Sequence, residues 1–372
     1  MSAPVVRVPF LALVPGEDRS GVEAAIARVV ARGWYVLGPE VDAFESEFAA
    51  ACGAAHAIGV GTGTDALALI LRAIGIGPGD EVITTPLSAA YTALSVLMAG
   101  ARPVFADIDP ERLTLDPAAV ERRIGPRTRA ILPVHLYGQA ADMATLERLA
   151  SAHRLAIVED CCQAHLGTAG GRAVGTIGVA GAFSFYPTKN LGALGDGGAV
   201  VTNDSDLAGR IKRLRNGGQT DRYHHQEPGV NSRLDDIQAA ILRARLPYLP
   251  SWTARRRVLA AEYRRALAAA REVTVPPEVD AGHVYHLFVV RSGARAALQS
   301  ALAARGVETL VHYPVALPRQ PALAGADPVD CPVANQVCDE VLSLPLHPAL
   351  TLDTVRAVAA AIEGAGSLRG SV

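Results

Sequence analysis

The sequence predicts an α/β fold in which a mostly parallel, doubly wound sheet is followed by a smaller C-terminal α+β domain. Short apolar segments typical of strands alternate with longer segments typical of helices, and this alternation indicates parallel strands joined by crossover helices. The length of 372 residues exceeds what one hydrophobic core usually serves, which favours two domains. We expect residues 1–250 to form the large domain and residues 251–372 the small one.

The predicted elements follow one another in a regular order. Strands are predicted at 82–85, 103–107, 130–134 and 155–159, and helices between them at 89–98, 117–124 and 142–153. Two more strands, 182–185 and 199–203, are joined by the glycine-rich segment 192–198, which matches no phosphate-loop pattern and is interpreted as a flexible turn. An arginine-rich helix over 250–270 then leads to a strand at 286–291 and further helix.

The composition argues against several classes of protein. The net charge of −2 gives no basic surplus for binding nucleic acid. No apolar run has the length needed to cross a bilayer, and residues 1–14 lack the ordered regions of a secretion signal. The chain has five cysteines, an odd number that fits a reducing compartment better than secretion, so we expect a cytoplasmic location. The cysteines lack the spacing of metal ligands, so we expect no metal site.

Lys189 is the first candidate for covalent chemistry. Only two of the 35 basic residues are lysines, and arginine cannot lose its proton to act as a nucleophile. The other lysine, Lys212, lies in a charged helical segment and is interpreted as a solvated surface residue. The same interpretation is the alternative for Lys189, but the neighbours of Lys189 are aromatic residues, proline and glycine.

Asp160 has the position that a pyridoxal 5'-phosphate (PLP) site would need. If Lys189 holds an aldehyde cofactor as a Schiff base, that cofactor is PLP, whose ring needs a carboxylate to keep the pyridine nitrogen protonated. Asp160 ends an apolar predicted strand, and the carboxyl ends of strands form the ligand crevice in doubly wound sheets. The alternative for Asp160 is a helix N-cap.

A phosphate-binding helix start is predicted at Gly63 and Thr64. Small residues over 59–64 are followed at once by an apolar helical run, an arrangement that points backbone amides and the positive end of the helix dipole at an anion. Ser184, on the strand before Lys189, is a candidate for an additional hydroxyl. An ordinary capped helix start explains the residues at 62–65 equally well.

Together, these residues resemble the PLP-dependent, fold type I aminotransferases of the DegT/StrS type, which act mostly on nucleotide-linked keto-sugars. The resemblance runs from about Trp34 to Pro348. It rests on six segments in the same order: WYVLGPEV at 34–41, GTDAL at 63–67, VHLYG at 134–138, EDCCQAH at 159–165, the stretch 184–198, and NSRLDDIQAA at 231–240.

The resemblance implies a role for each cofactor residue. Lys189 would form the Schiff base, Asp160 would pair with the pyridine nitrogen, and Gln163 would contact the ring hydroxyl. It assigns the phosphate to Gly63, Thr64, Ser184 and, from the neighbouring subunit, Asn231. Each active site would then be built by both chains of a homodimer.

The resemblance also implies contacts with the substrate. It assigns these contacts to Tyr313, Tyr285, His286 and His165, whereas the residues alone are explained as well by packing in the core or between domains. Family members often stack an aromatic residue on the cofactor ring near position 89, which is alanine here. Either Tyr91 takes that role or the stacking is absent.

The implied reaction moves an amino group from an amino acid, glutamate or glutamine, to a nucleotide-linked keto-deoxysugar. The first alternative is a keto-cyclitol acceptor on the same scaffold. A PLP-dependent sugar dehydratase is a weaker alternative because such relatives carry histidine in place of the lysine. A non-enzymatic sensory protein is weaker still, because it would be expected to have lost Lys189 or Asp160.

Overall fold

A computed structural model describes residues 8–366 of the chain. Residues 1–7 and 367–372, which include the ends of both expected domains, lie outside the described residues. The helices are α1 Arg19–Arg32, α2 Pro39–Cys52, α3 Gly63–Ala73, α4 Tyr91–Met98, α5 Pro117–Arg123, α6 Met143–His153, α7 Ser205–Leu214, α8 Asp236–Arg245, α9 Leu249–Ala266, α10 Arg295–Ala304, α11 Pro332–Glu340 and α12 Leu352–Gly366. The strands are β1 His56–Val60, β2 Glu81–Thr84, β3 Arg102–Phe105, β4 Thr128–Leu132, β5 Ala156–Asp160, β6 Thr168–Ala169, β7 Arg172–Ala173, β8 Ala180–Ser184, β9 Gly198–Thr202, β10 Gln219–Asp221, β11 His224–His225, β12 Phe288–Arg291 and β13 Val341–Leu344.

A seven-stranded sheet in the order β1-β9-β8-β5-β4-β2-β3 forms the centre of the molecule. Strands β8, β5, β4, β2 and β3 pair in parallel, whereas β9 runs antiparallel to both of its neighbours. The predicted mostly parallel α/β sheet is therefore confirmed. Strand β1, which the periodicity did not predict, adds an edge that leads directly into α3.

Helices cover both faces of this sheet, as the doubly wound prediction requires. Val82 and Leu132 face a core shared with α3 and α4, while Ile83 and Ile131 face the opposite core, shared with α5 and α6. Successive residues of a strand point to opposite faces, so strands with both faces covered are apolar along their length. Because β5 and β8 are parallel, their carboxyl ends lie at the same edge of the sheet. Ligands bind at this edge in such folds.

The C-terminal elements build a core of their own. The antiparallel pair β12 and β13 packs with α9, α10 and α12 around Tyr263, Phe288, Leu302 and Val358, which are almost completely buried. The segment that includes α11 instead packs on the core of the large sheet. Helix α9 begins at Leu249, beside the expected domain boundary, and the exact division at residue 250 stays a prediction.

Across residues 8–366, no helix has the length and hydropathy needed to span a membrane.

Candidate active site

Lys189 lies in the turn that follows β8, with its amide hydrogen bonded to the carbonyl of Tyr186 at 2.8 Å. Within residues 8–366, the Lys189 amine has neither an ion pair nor a hydrogen bond. Burial lowers the pKa of this amine, and the negative charge of Asp160 acts in the opposite direction. The amine is therefore held in a site that favours its neutral, nucleophilic form, with a carboxylate close enough to act on it.

Asp160 is the last residue of β5 and is 5% exposed. Its Oδ2 accepts a 2.8 Å hydrogen bond from Thr92 Oγ1, which in turn is 2.9 Å from Ser88 Oγ. Its Oδ1 accepts the Cys162 amide at 3.1 Å. No helix begins after Asp160, since residues 161–167 form turns, so the N-cap alternative is not what the structure shows. The carboxylate is instead fixed at the edge of the sheet beside Lys189.

The start of α3 combines an ordinary cap with free backbone donors. Thr62 Oγ1 accepts the Asp65 amide at 3.0 Å, as expected for a helix N-cap. The amides of Gly63 and Thr64 have no acceptor in the part of the chain that is described. They are available to an anion at the positive end of the helix dipole. The capped start and the predicted phosphate site are therefore compatible.

Gly63 is required by a close approach at this point. A Cβ at position 63 would lie 2.7 Å from Cys162 Sγ and 2.8 Å from Ser184 Cβ, closer than real side chains come. The helix start, the end of β8 and the turn after β5 thus meet around Gly63. This meeting brings the predicted phosphate ligands Gly63 and Ser184 to the same place as Asp160.

Gln163 and Tyr313 are joined across the site. Gln163 Oε1 accepts the Tyr137 amide at 2.7 Å, and its Nε2 donates to Tyr313 Oη at 3.0 Å. Burial raises the pKa of Tyr313 well above its ordinary range, and the hydrogen bond from Gln163 acts against that shift. The structure therefore brings together a predicted cofactor residue and a predicted substrate residue, although they come from different halves of the chain.

Three histidines lie close enough to Lys189 for the positive charge of its protonated amine to lower their pKa values. Burial, followed by the charge of Lys189, lowers the pKa of His165 to about 3, that of His312 to about 4 and that of His286 well below 6.5. His165 Nε2 contacts the carbonyl oxygen of Ser184 at 2.9 Å, and His286 Nδ1 contacts Asn190 Oδ1 at 3.2 Å. All three rings are thus favoured in their neutral form beside the amine.

His312 is a site residue that the sequence analysis missed. Its Nδ1 lies 2.9 Å from Ser343 Oγ, its ring stacks on Phe10 with centroids 5.8 Å apart, and its carbonyl accepts a hydrogen bond from Tyr137 Oη. The one signal available was its position directly before Tyr313, a predicted substrate residue.

Other predicted residues lie outside this group. Tyr285 stacks on His283, and its hydroxyl already has two partners, Glu278 and Arg264. Tyr91 is 64% exposed at the start of α4, and Asn231 is also exposed. The roles predicted for Tyr285, Tyr91 and Asn231 therefore stay predictions.

A buried hydrogen-bonded pair, His135 and Glu159, supports the end of β5. His135 Nε2 lies 3.1 Å from Glu159 Oε2, and the Glu159 carboxylate also accepts the amides of Gly175, Ile177 and Gly178. Burial raises the pKa of Glu159, but these hydrogen bonds outweigh it and hold the pKa below the ordinary value. The pair fixes Glu159, and with it the backbone that carries Asp160.

The arrangement fits PLP. It offers a free amine for the aldehyde, a carboxylate for the pyridine nitrogen, and unpaired amides at a helix start for the phosphate. A family model described as "DegT/DnrJ/EryC1/StrS aminotransferase family" matches residues 17–363. The chain belongs to this family. It is accordingly an enzyme of the aminotransferase class, and the resemblance of its motifs is confirmed.

Individual relatives agree with this assignment. The chain is 51% identical over 349 residues to the dTDP-3-amino-3,4,6-trideoxy-alpha-D-glucose transaminase of Streptomyces venezuelae, covering 92% of each protein. Its fold matches the crystal structure of S. venezuelae DesV in complex with a ketimine intermediate, with a TM-score of 0.93 and 50% identity over 96% of this chain and 98% of that one. It also matches ntda from Bacillus subtilis with bound cofactor PMP, with a TM-score of 0.89 and 30% identity over 98% of this chain and 86% of that one.

Proposed function

We propose that this protein uses PLP to transfer an amino group from glutamate or glutamine to C3 of a nucleotide-linked keto-deoxysugar. The observation that carries the proposal is the Lys189 amine, which has no partner among residues 8–366 and lies near the Asp160 carboxylate and the first amides of α3, which also lack acceptors there. The choice of a nucleotide sugar, and of its third carbon, is supported by the name of the S. venezuelae relative.

Each side chain has a defined task in this reaction. When bound, PLP supplies an electron-withdrawing ring that stabilises negative charge at the carbon bearing the transferred nitrogen. Lys189 would move a proton to and from that carbon, and the burial that lowers the pKa of its amine favours the neutral form that accepts this proton. Asp160, whose carboxylate is fixed by Thr92, would keep the ring nitrogen protonated. The amides of Gly63 and Thr64 would hold the phosphate and so keep the ring in place while bonds change.

A direct assay tests the acceptor. Purified enzyme with PLP and glutamate should convert a dTDP-linked 3-keto-deoxysugar to its amine, detected by mass spectrometry, and should release the keto acid in equal amount. A keto-inositol serves as the competing acceptor, because the keto-cyclitol alternative predicts the opposite preference. Amination of the keto-inositol alone would overturn the sugar assignment while leaving the aminotransferase assignment intact.

A homodimer with shared sites is part of the proposal. Asn231 is exposed, while the adjacent Ser232 is tied to the phosphate-site loop through the Gly61 amide at 2.9 Å and Asp65 Oδ2 at 2.8 Å. Exposed apolar residues Trp34 and Tyr35 lie in a segment that also meets α8, since the Tyr35 carbonyl accepts the Asp236 amide. These features are consistent with a second copy covering this face.

Mixing two inactive variants tests whether the partner subunit's Asn231 completes the site. Lys189→Ala and Asn231→Ala proteins are each expected to be inactive or strongly impaired. If Asn231 acts across the interface, subunit exchange between them creates one site with both native residues and restores activity. If Asn231 acts within its own chain, every site in the mixture keeps one defect and activity does not return.

The cytoplasm is the proposed location. All five cysteines are free, and Cys161 and Cys162 are adjacent without forming a disulfide. Free cysteines in this number fit a reducing compartment. Localisation of the tagged protein by fractionation tests this proposal.

A further inference from the structure

A cleft lies between the turn that carries Lys189 and the C-terminal elements. Its volume is about 310 Å³, within the size range of sites for small molecules. Arg256 on α9 and His347, three residues beyond β13, line it together with Lys189 and the N-terminal segment 12–18. The cleft therefore joins the candidate catalytic amine to two further basic side chains that have no assigned task.

Arg256 is a buried cation without a carboxylate partner. It is 6% exposed, and no acidic residue among 8–366 forms an ion pair with it. Its Nη1 donates to the carbonyl oxygens of Tyr285, His286 and Leu346 at 3.2, 3.3 and 2.8 Å, whereas its Nε has no partner in that part of the chain. Burial lowers the pKa of the guanidinium to about 10. Arginine is rarely buried without a partner, so an anion that the chain itself does not supply is expected here.

His347 has hydrogen-bonding capacity that the described chain does not use. The residue is 6% exposed, and neither ring nitrogen has a hydrogen-bond partner within residues 8–366. Burial lowers the pKa of the ring, the charge of Arg256 adds to this effect, and the nearby Pro9 carbonyl acts against it without making a hydrogen bond of normal geometry. A neutral imidazole offers one N–H donor, and leaving that donor unused inside a protein is costly.

The acidic side chains of the cleft already have partners. Asp18 Oδ2 accepts a hydrogen bond from Arg245 Nε at 2.8 Å, and Glu17 Oε1 accepts one from Trp252 Nε1 at 2.7 Å. The positive charge of Arg256 is therefore not neutralised by the described residues that line the cleft.

His286 connects Arg256 to Lys189. Its Nδ1 lies 3.2 Å from Oδ1 of Asn190, the residue after the lysine, and its carbonyl accepts the hydrogen bond from Arg256. After the larger effect of burial, the charges of Lys189 and Arg256 both lower its pKa. The amine and the guanidinium thus lie close to the same histidine. A small ligand that reacts at Lys189 can place a second group at Arg256.

We propose that Arg256 and His347 bind the α-carboxylate of the amino acid donor while its amino group is presented to Lys189. This inference rests on the proposed aminotransferase function and names the residues that recognise the donor. Glutamate and glutamine share an α-carboxylate, attached to the carbon that bears the transferred nitrogen. A guanidinium and a neighbouring N–H donor suit the two oxygens of such a group, and hydrogen bonds of this kind are the stronger ones. The phosphates of a nucleotide sugar are the other anionic source, and measuring the two half-reactions separately distinguishes them.

The first half-reaction tests the donor. PLP-loaded enzyme is mixed with glutamate, and the change in cofactor absorbance gives the glutamate concentration at half-maximal rate. Arg256→Met should raise this concentration roughly ten- to hundredfold and His347→Phe about tenfold, because each removes a donor to a charged oxygen. In the second half-reaction, the concentration of dTDP-linked 3-keto-deoxysugar at half-maximal rate should stay unchanged.

Controls separate recognition from folding. Arg255→Met is the matched variant, because Arg255 lies on the same helix and also donates to a carbonyl, that of Leu350, but does not line the cleft. It should leave the glutamate requirement unchanged. If Arg256→Met fails to fold, His347→Phe still decides, since it breaks no hydrogen bond within the described chain.

An α-amide of glutamate tests which carboxylate is bound. Isoglutamine keeps the amine and the side-chain carboxylate but carries a neutral amide in place of the α-carboxylate. As a competitor of glutamate it should bind wild type about tenfold more weakly than glutamate does, and His347→Phe should reduce this difference. An equal difference in the two proteins would overturn the proposal.

Two further results would contradict it. One is an unchanged glutamate requirement in His347→Phe, and the other is a raised requirement for the nucleotide sugar alone, which would assign the cleft to its phosphates. The proposed function fails separately, if wild-type protein binds no PLP or takes no amino group from glutamate or glutamine.

Discussion

Thr92 Oγ1 donates a 2.8 Å hydrogen bond to Asp160 Oδ2, so the first turn of α4 fixes the carboxylate that ends β5. Ser88 lies 2.9 Å from the same Thr92 hydroxyl and orients it in turn. These two hydrogen bonds connect the loop before α4 to the Asp160 carboxylate, which is proposed to keep the nitrogen of the cofactor ring protonated. Two predictions follow from it, one for the carboxylate and one for the hydroxyl.

Asp160→Asn should keep the shape of the site and remove its negative charge. An ion pair at 4 Å and an effective dielectric near 20 is worth about 4 kcal/mol, so kcat should fall by roughly a thousandfold. PLP should still bind, because Lys189 and the amides of α3 remain. Steady-state kinetics and absorbance measure the two effects separately, and near-normal kcat would contradict the role given to Asp160.

Thr92→Val should have a smaller effect of the same kind. It removes one hydrogen bond to the carboxylate without changing any charge, which is worth about 1.5–3 kcal/mol for a charged acceptor and corresponds to roughly a ten- to hundredfold loss in kcat. The matched control is Thr354→Val in α12, where the hydroxyl is paired with that of Thr351 at 2.8 Å, and this change should leave kcat unchanged. If Thr92→Val lowered kcat as much as Asp160→Asn does, the loss would have to come from a disturbed fold, because Thr92→Val changes no charge.

Gly63→Ala should weaken PLP binding at the phosphate. The added Cβ would stand 2.7 Å from Cys162 Sγ and 2.8 Å from Ser184 Cβ, so the start of α3 must shift away from the end of β8. Gly293→Ala is the control, because nothing lies within 4 Å of a Cβ there. Equilibrium titration with PLP should show a raised Kd for the first variant alone, and an unchanged Kd would count against the phosphate site.

Buried histidines should make the protein less stable in mild acid. Burial lowers the pKa of His165 and of His283 to about 3, below the unfolded value of about 6.5. As the pH falls below about 6.5 the unfolded chain takes up these protons while the folded protein does not, so the stability present above that pH is lost towards pH 3. Each ring contributes up to about 1.4 kcal/mol per pH unit in that range.

Urea unfolding between pH 7.5 and 4.5 measures this loss. The free energy of unfolding should decrease steadily as the pH is lowered across this range, because His165 and His283 stay unprotonated in the folded protein. A free energy of unfolding that does not change between pH 7.5 and 4.5 would show that the buried histidine rings take up protons in the folded protein as well.

Much of the candidate site could be predicted because its residues lie in continuous segments. Asp160 ends a strand and Gly63 begins a helix, positions that follow from the pattern of strands and helices, whereas Lys189 lies in the turn after β8 and was singled out as one of only two lysines. The parallel sheet then brings the ends of these segments to one edge without any further information.

The positions of the other residues of the candidate site depend on contacts between distant segments, which one sequence does not reveal. Tyr285 and His286 are adjacent, yet Tyr285 has a φ of 48° and turns its ring onto His283, while His286 contacts Asn190 near the lysine. The Gln163–Tyr313 hydrogen bond joins residues 150 positions apart. Contacts of this kind are set by how the C-terminal elements pack on the sheet, and no local pattern encodes them.

The chemistry of Lys189 can be tested most directly by reductive trapping. The chain has two lysines, and Lys212 is exposed near Glu45, so the two amines can be told apart on separate peptides. After PLP loading and borohydride reduction, mass spectrometry should find the phosphopyridoxyl group on the Lys189 peptide of wild type and of Lys212→Ala, and on no peptide of Lys189→Ala. A modification found on Lys212 instead, or an unmodified Lys189 in PLP-loaded protein, would contradict the account.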